Sequence, residues 1–270
     1  MIRFVRRRLD ATVDLSAPAF MGKSAASGVG RALLLLAGLY VSAAVIASSV
    51  SRAVPDSWER ALFDSGEADP LFPEDVGRPA AVLSRLRAPG GLRHLRYRVV
   101  FVSYGEANAW VRPGGSIYVT ADLLKRVKSE IGLAAVLAHE LGHHERRHVL
   151  SRLSRSLFVG LPASMLLGRV NLGAAGEPVR LAELAYERDQ ETAADEFALR
   201  QVRLAYGTTE GSLEFFEWIA KQPPGSSVAT RFLRTHPLPA DRLEYLRRLQ
   251  ASLDAAPTGD ASAPALAPAR

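Results

Sequence analysis

The sequence predicts a mostly helical α+β domain with a small β-sheet, and three observations lead there. Two short runs, Tyr97 to Ser103 and Ser116 to Thr120, have the β-branched and aromatic composition of strands. From Asp122 the apolar spacing becomes helical, with Leu123, Val127, Ile131, Ala134 and Ala138 in step and no proline before Pro162. A second long helical stretch opens near Pro178 and ends at Tyr206, with Gly207 at its end. At 270 residues and 48% hydrophobic content, the chain is long enough to bury one core of ordinary size, with appendages at its ends.

The first appendage, residues 1–31, carries Arg3, Arg6, Arg7, Arg8, Lys23 and Arg31 against Asp10 and Asp14. That is four of the six formal positive charges of the whole chain. The remainder is nearly balanced and carries no RNA-recognition, KH or zinc-finger pattern, so nucleic acid is not an expected partner. Residues 32–51 hold no charge and are about as long as a bilayer-crossing helix. The basic residues precede this segment, which predicts a cytoplasmic N-terminus, membrane attachment through the N-terminal helix, and export of the rest. Ala47-Ser48-Ser49 also fits a signal-peptidase site, so a retained anchor and a cleaved signal both stand. The absence of cysteine removes disulfides, thiolate nucleophiles and Cys-type metal sites. Thirty arginines against four lysines indicate a GC-rich genome and favour a bacterium. The expected location is the inner membrane with the domain facing the periplasm or exterior, or the periplasm itself after cleavage.

The domain proper is expected over residues 54–250. Between Val54 and Pro89 only Pro79 to Leu86 reads as helix. The two strand runs flank the turn-rich Asn108-Ala109-Trp110 and Arg112-Pro113-Gly114-Gly115, which predicts a small hairpin or a short sheet. Asp122 or Thr120 would cap the helix that follows. Leu157 to Gly168 is apolar but too short to span a membrane, and reads as a buried or interfacial helical hairpin. Ser212 to Lys221 is helical. Pro223 to Ser227 leads to Thr235-His236-Pro237 and a final helix rich in arginine and leucine, and residues 255–270 form an Ala/Pro-rich tail expected to be disordered.

His139-Glu140-Leu141-Gly142-His143 is an HExxH pattern inside a helix. Residues four apart share a helical face, so the two imidazoles can grip one ion while Glu140 reaches an activated water. Zinc acidifies such a water, and the carboxylate takes its proton during attack on a peptide carbonyl. The preceding Leu133 to Ala138 is wholly apolar, and charged or polar groups in so buried a helix are costly without a partner such as a metal. On a continuous helix His148 points away from His139, and His144 lies about 100° round from His143, so neither is expected as a ligand. That leaves a carboxylate from another helix. Glu191 and Asp195 share a face, beside the small Ala193 and Ala194. Glu191 is assigned as third ligand and Asp195 as the acceptor that orients a ligand imidazole.

These residues resemble those of the M48 family of HExxH peptidases, in four ordered segments. Asn108-Ala109-Trp110 with Pro113-Gly114-Gly115 and Ile117-Tyr118-Val119 is similar to one family segment, and Leu137 to His143 with His148 to a second. Arg188 to Asp195 resembles the third, although Ala193 stands where some members carry an acid, and Thr235-His236-Pro237 with Arg242-Leu243 resembles the fourth. The resemblance implies a zincin-like HExxH fold with one zinc per chain and polypeptide substrates. It further implies that Ile117 to Thr120 is an edge strand beside the zinc, with Gly115, Ile117, Tyr118 and Val119 binding an extended substrate. His236 is implied near the metal, either stabilising the tetrahedral oxyanion or filling the open position in a resting state. Arg242 would support the carboxylates or cap the last helix. The chain is closest to members with a soluble catalytic domain. The expected function is zinc-dependent endopeptidase action on membrane or exported proteins in envelope quality control; a client-holding assembly factor with latent proteolysis is the alternative.

Overall fold

The computed structural model describes residues 23–63, 77–90, 92, 96–103, 105–160, 176–223, 232–237 and 240–256. The helices are α1 (Lys23–Ala53), α2 (Asp56–Phe63), α3 (Arg78–Arg87), α4 (Ala121–Arg126), α5 (Glu130–Glu145), α6 (His148–Arg155), α7 (Gly176–Tyr206), α8 (Glu214–Ala220) and α9 (Ala240–Ala255). The strands are β1 (Arg98–Val102), β2 (Ala109–Val111) and β3 (Ser116–Thr120). The chain is thus mostly helical with one small sheet, as its sequence predicts. Residues 161–168 of the expected apolar hairpin and 257–270 of the expected tail lie outside the described residues. Among the described residues no helix is long and apolar enough to cross a membrane. The charge-free segment 32–51 lies within α1, but side chains are described only from Gly38 onward.

The sheet has the order β1-β3-β2. β3 pairs parallel with β1 from Arg98↔Ser116 to Val102↔Thr120, and antiparallel with β2 from Ala109↔Val119 to Val111↔Ile117. The turn between β2 and β3 uses Gly114 and Gly115 at φ 88° and 89°, which side chains rarely adopt. A Cβ on Gly115 would also sit 3.2 Å from the Tyr97 ring. The hairpin is therefore β2–β3, and β1 reaches β3 from the opposite side. This corrects the expectation that Ile117 to Thr120 is an edge strand: β3 is central and its backbone is engaged on both sides. The edge that lies along α5 is β2.

Two breaks interrupt what reads as one long helix. α4 is capped by Thr120, whose hydroxyl accepts from the Leu123 amide at 3.2 Å, and it ends at an extended Val127. Ser129 then caps α5, accepting from the Gly132 amide at 2.9 Å. The gap is held from both sides. The Glu214 carboxylate accepts from the Lys128 and Ser129 amides at 2.6 and 3.0 Å, while the Arg78 guanidinium donates to the carbonyls of Val127, Lys128 and Ser129 at 2.6–3.0 Å. The second break is at Arg147, the only non-glycine with positive φ (59°) among the described residues. Its side chain donates to the Ser51 and Val54 carbonyls and pairs with Asp56 at 2.7 Å, which ties the end of α1 and the start of α2 to the end of α5.

α5 is buried from Gly132 to His144, an apolar helix enclosed by the sheet, α3, α7 and α8. Its crossing with α7 is close because Gly142 faces Ala194. A Cβ there would meet the Ala194 carbonyl oxygen at 3.0 Å and its Cα at 3.1 Å. Gly142→Val is expected to force α5 and α7 apart and cost about 1–3 kcal/mol of unfolding free energy. Chemical denaturation measures this, and wild-type stability in that variant would contradict the packing described.

Candidate metal centre

The α5–α7 crossing is where chemistry-bearing residues collect. His139 and His143 lie one helical turn apart on α5, Glu191 faces them from α7, and His236 follows a helical turn over residues 232–235. One ligand atom from each of these four lies within 4.8 Å of all the others. His139 Nε2 is 3.0 Å from His143 Nε2 and 3.4 Å from Glu191 Oε2, and His143 Nε2 is 3.2 Å from Glu191 Oε1. His236 Nδ1 lies 3.0 Å from Glu191 Oε2 and 3.3 Å from His139 Nε2.

A zinc ion fits this set. Tetrahedral coordination with zinc–nitrogen bonds of about 2.0–2.1 Å separates neighbouring donors by roughly 3.3 Å, close to the separations of 3.0–3.4 Å found here. Imidazole nitrogens turned toward one another and toward a carboxylate share a focus that a cation satisfies better than their own few protons. The surrounding charge agrees: Glu191 and Asp195 share the Arg242 guanidinium, Glu140 lies beside the same histidines, and all four are buried.

The second layer fixes the first. His139 Nδ1 is 2.8 Å from Asp195 Oδ1. Arg242 holds Asp195 through two parallel donors, Nε at 2.7 Å and Nη2 at 2.9 Å, and its Nη1 reaches Glu191 Oε2 at 3.1 Å. Arg242 also donates to the Pro237 carbonyl at 2.6 Å, which ties the loop bearing His236 to the same fork. Its guanidinium lies over the Phe216 ring, and the Phe232 ring packs 4.8 Å from His236. Arg242 thus contacts both carboxylates.

Burial sets the proton affinities and neighbours then redirect them. Burial opposes a charge on His139, yet Asp195 and Glu191 outweigh it and push its pKa up to about 10. At His143 burial wins and holds the pKa well below the usual imidazole range. Burial works to raise Glu191 and Asp195 as well, but His236, His139 and His143 hold Glu191 well down, and Arg242 and His139 hold Asp195 down. The Glu140 carboxyl is raised above the usual carboxylate range, chiefly by burial. Its Oε1 has no hydrogen-bond partner, and His236 Nε2 stands 3.5 Å away.

The structure therefore brings together His139, Glu140, His143, Glu191, Asp195, His236 and Arg242. Gly115, Ile117, Tyr118 and Val119 belong to the sheet and the turn before β3. Ile117 and Val119 are core side chains, Gly115 lies against Tyr97, and Tyr118 stacks on Trp110 at 5.2 Å. Sequence reasoning set His148 aside as a ligand but did not foresee its contact with His143. The left-handed Arg147 starts a new helix and turns His148 Nδ1 to within 3.0 Å of His143 Nδ1, so His148 is a partner of a candidate ligand and stands outside the four-residue cluster. No residue type at 146–147 signals that turn. Nor did the sequence flag Glu59, which is buried 2.7 Å from His144 Nε2 and accepts from the Gly114 amide at 3.0 Å.

Comparison with known proteins adds an independent line. The sequence model for peptidase family M48 matches residues 75–250. The mitochondrial metalloendopeptidase OMA1 of Schizosaccharomyces pombe is 26% identical over 201 residues, covering 72% of this chain and 59% of the relative. The beta-barrel assembly-enhancing protease of Yersinia pestis is 26% identical over 203 residues, covering 70% and 41%. Metalloprotease YcaL of Escherichia coli is 26% identical over 162 residues, covering 57% and 61%. The chain thus spans about two fifths to three fifths of the length of these relatives.

If Asp195 and Arg242 orient the donor set, Asp195→Asn and Arg242→Leu should each weaken zinc affinity by about 10–100-fold. Competition with a chromogenic chelator measures this, with circular dichroism to verify the fold. Unchanged affinity in both variants would remove them from the site.

Proposed function

The chain belongs to peptidase family M48, and from that premise we propose that it is a zinc-dependent endopeptidase. The observation that carries the reading is the convergence of His139, His143 and Glu191 at one buried focus, with the raised carboxyl of Glu140 alongside. A zinc ion held there would supply Lewis acidity, lowering the pKa of a water and polarising a peptide carbonyl. Glu140 would accept a proton from the attacking water and pass it to the leaving amine. Asp195 Oδ1, 2.8 Å from His139 Nδ1, would hold that ring with Nε2 free for the metal. Arg242 keeps Asp195 and Glu191 ionised and in place.

The substrate is an extended polypeptide segment. With β3 enclosed on both sides, backbone pairing would fall to β2, the outer strand of the described sheet beside α5. The proposed substrates are unfolded or misregistered segments of membrane or exported proteins, cleaved at the cell envelope by a domain tethered through α1, or in the periplasm after signal cleavage. The charge-free segment 32–51 and the name of the beta-barrel assembly-enhancing relative support this setting.

One observation favours a second reading. His236 takes the fourth place in the donor cluster, where a substrate carbonyl would have to enter. In that arrangement proteolysis is latent and the same groove holds clients, and His236 must swing out before cleavage.

The test is zinc content and unfolded-casein cleavage for wild type, Glu140→Gln and His236→Ala. Zinc near one per chain is expected in wild type and Glu140→Gln, with cleavage about 10²–10⁴-fold lower in the latter. Faster cleavage by His236→Ala assigns His236 to latency, and slower cleavage assigns it to transition-state stabilisation. Zinc in wild type and Glu140→Gln with no cleavage by any of the three proteins would overturn the peptidase reading.

A further inference from the structure

Behind the candidate metal centre, a cleft of about 260 Å³ opens between α1, α6 and α7. Arg52 and Arg146 stand on its wall, with Ser48, Tyr186, Asp189 and Gln190. Two guanidinium groups against one carboxylate make it a cationic recess. Gln190 is only 5% exposed, and its Nε2 has no hydrogen-bond partner. A buried amide with unused N–H donors is unfavourable unless an acceptor comes to it. The Arg52 guanidinium is set in place by its Nε, which donates to the Ser48 carbonyl at 3.1 Å.

The surroundings of the cleft define the ligand more narrowly than its charge does. α1 and α6 run antiparallel. At the cleft end Arg147 donates to the Ser51 carbonyl, and at the far end Arg155 donates to the Tyr40 hydroxyl at 3.0 Å. Away from the cleft, toward Tyr40 and Arg155, the flank of α1 that carries Arg52 and Ser48 turns apolar at Val45 and Val41, and Phe158 follows α6. They are between 44% and 58% exposed. Scattered exposed apolar residues are ordinary, but a ridge shared by two packed helices is an interaction surface. A cationic recess at one end of an apolar ridge matches an amphiphile with an anionic head.

We propose that this cleft binds the phosphate of an anionic phospholipid, with acyl chains lying along the α1–α6 ridge. Arg52 and Arg146 neutralise the phosphate, the Gln190 amide donates to one of its oxygens, and Asp189 accepts from a headgroup hydroxyl. A phosphatidylglycerol headgroup has both features. A zwitterionic choline headgroup brings its own cation toward the arginines and has no hydroxyl for Asp189. The inference stands apart from the peptidase reading, since nothing in it depends on turnover.

Native mass spectrometry of the full chain in neutral detergent tests it, with phosphatidylglycerol, phosphatidylcholine or inorganic phosphate added in separate arms. One phosphatidylglycerol per chain should be retained in clear preference to phosphatidylcholine. Arg52→Gln with Arg146→Gln should weaken retention by about tenfold or more. Arg248→Gln, which removes an exposed arginine of α9, should leave it unchanged. If circular dichroism shows the double variant misfolded, Gln190→Leu takes its place and should lose the same preference. Equal retention of the two lipids, undiminished retention in a folded variant, or inorganic phosphate bound as well as the lipid would each overturn the proposal; the last would leave a free-anion site.

Discussion

The structure depends on a cluster of opposed charges buried where α5 crosses α7. Three imidazoles, three carboxylates and one guanidinium lie at this crossing, each almost fully removed from water. Isolated ions at such depth are prohibitive, and paired ones persist only when geometry and hydrogen bonding are both good. Much of the surrounding architecture serves that condition. Gly142 against Ala194 lets α5 and α7 approach until Glu191 reaches both histidines. Arg242, carried by α9, supplies a two-pronged bond to Asp195 and a third donor to Glu191, which no single lysine could match. The helix that bears the motif is apolar because it passes through the core.

How much of this was legible in the sequence divides along physical lines. Periodicity exposed the helices, and residues four apart on a buried helix exposed His139 and His143, since both signals are local. Glu191 and Asp195 were legible for the same reason, with Ala193 and Ala194 marking a close helix contact. Features set by partners far along the chain were not. The break between α4 and α5 is stabilised by Glu214 and Arg78, neither near it in sequence. The turn at Arg147 rests on Ser51, Val54 and Asp56, and without it His148 cannot be placed. Strand order was illegible because composition marks strands and leaves pairing open. β2 is only three residues long, yet it takes the hairpin and leaves β3 in the centre.

The N-terminal helices are bound into the site's supports. Glu59 of α2 meets both His144 and the amide of Gly114, so one buried carboxylate joins the end of α5 to the turn before β3. Tyr97 adds a contact to His144 at 3.0 Å and one to Glu145. Arg147 adds the link to the end of α1. An event at the outer face of α1 therefore has a continuous path of hydrogen bonds and ion pairs to the helix that carries His139 and His143.

The proposed peptidase chemistry requires that His139, His143 and Glu191 hold one zinc ion, with or without His236 in the fourth position. Zinc-edge X-ray absorption on the full chain loaded with one equivalent of metal tests it most directly. Nitrogen and oxygen neighbours at about 2.0–2.1 Å with the outer-shell scattering of imidazole rings, and no sulfur, are expected. An oxygen-only first shell without imidazole scattering, the signature of a hydrated surface ion, would contradict it.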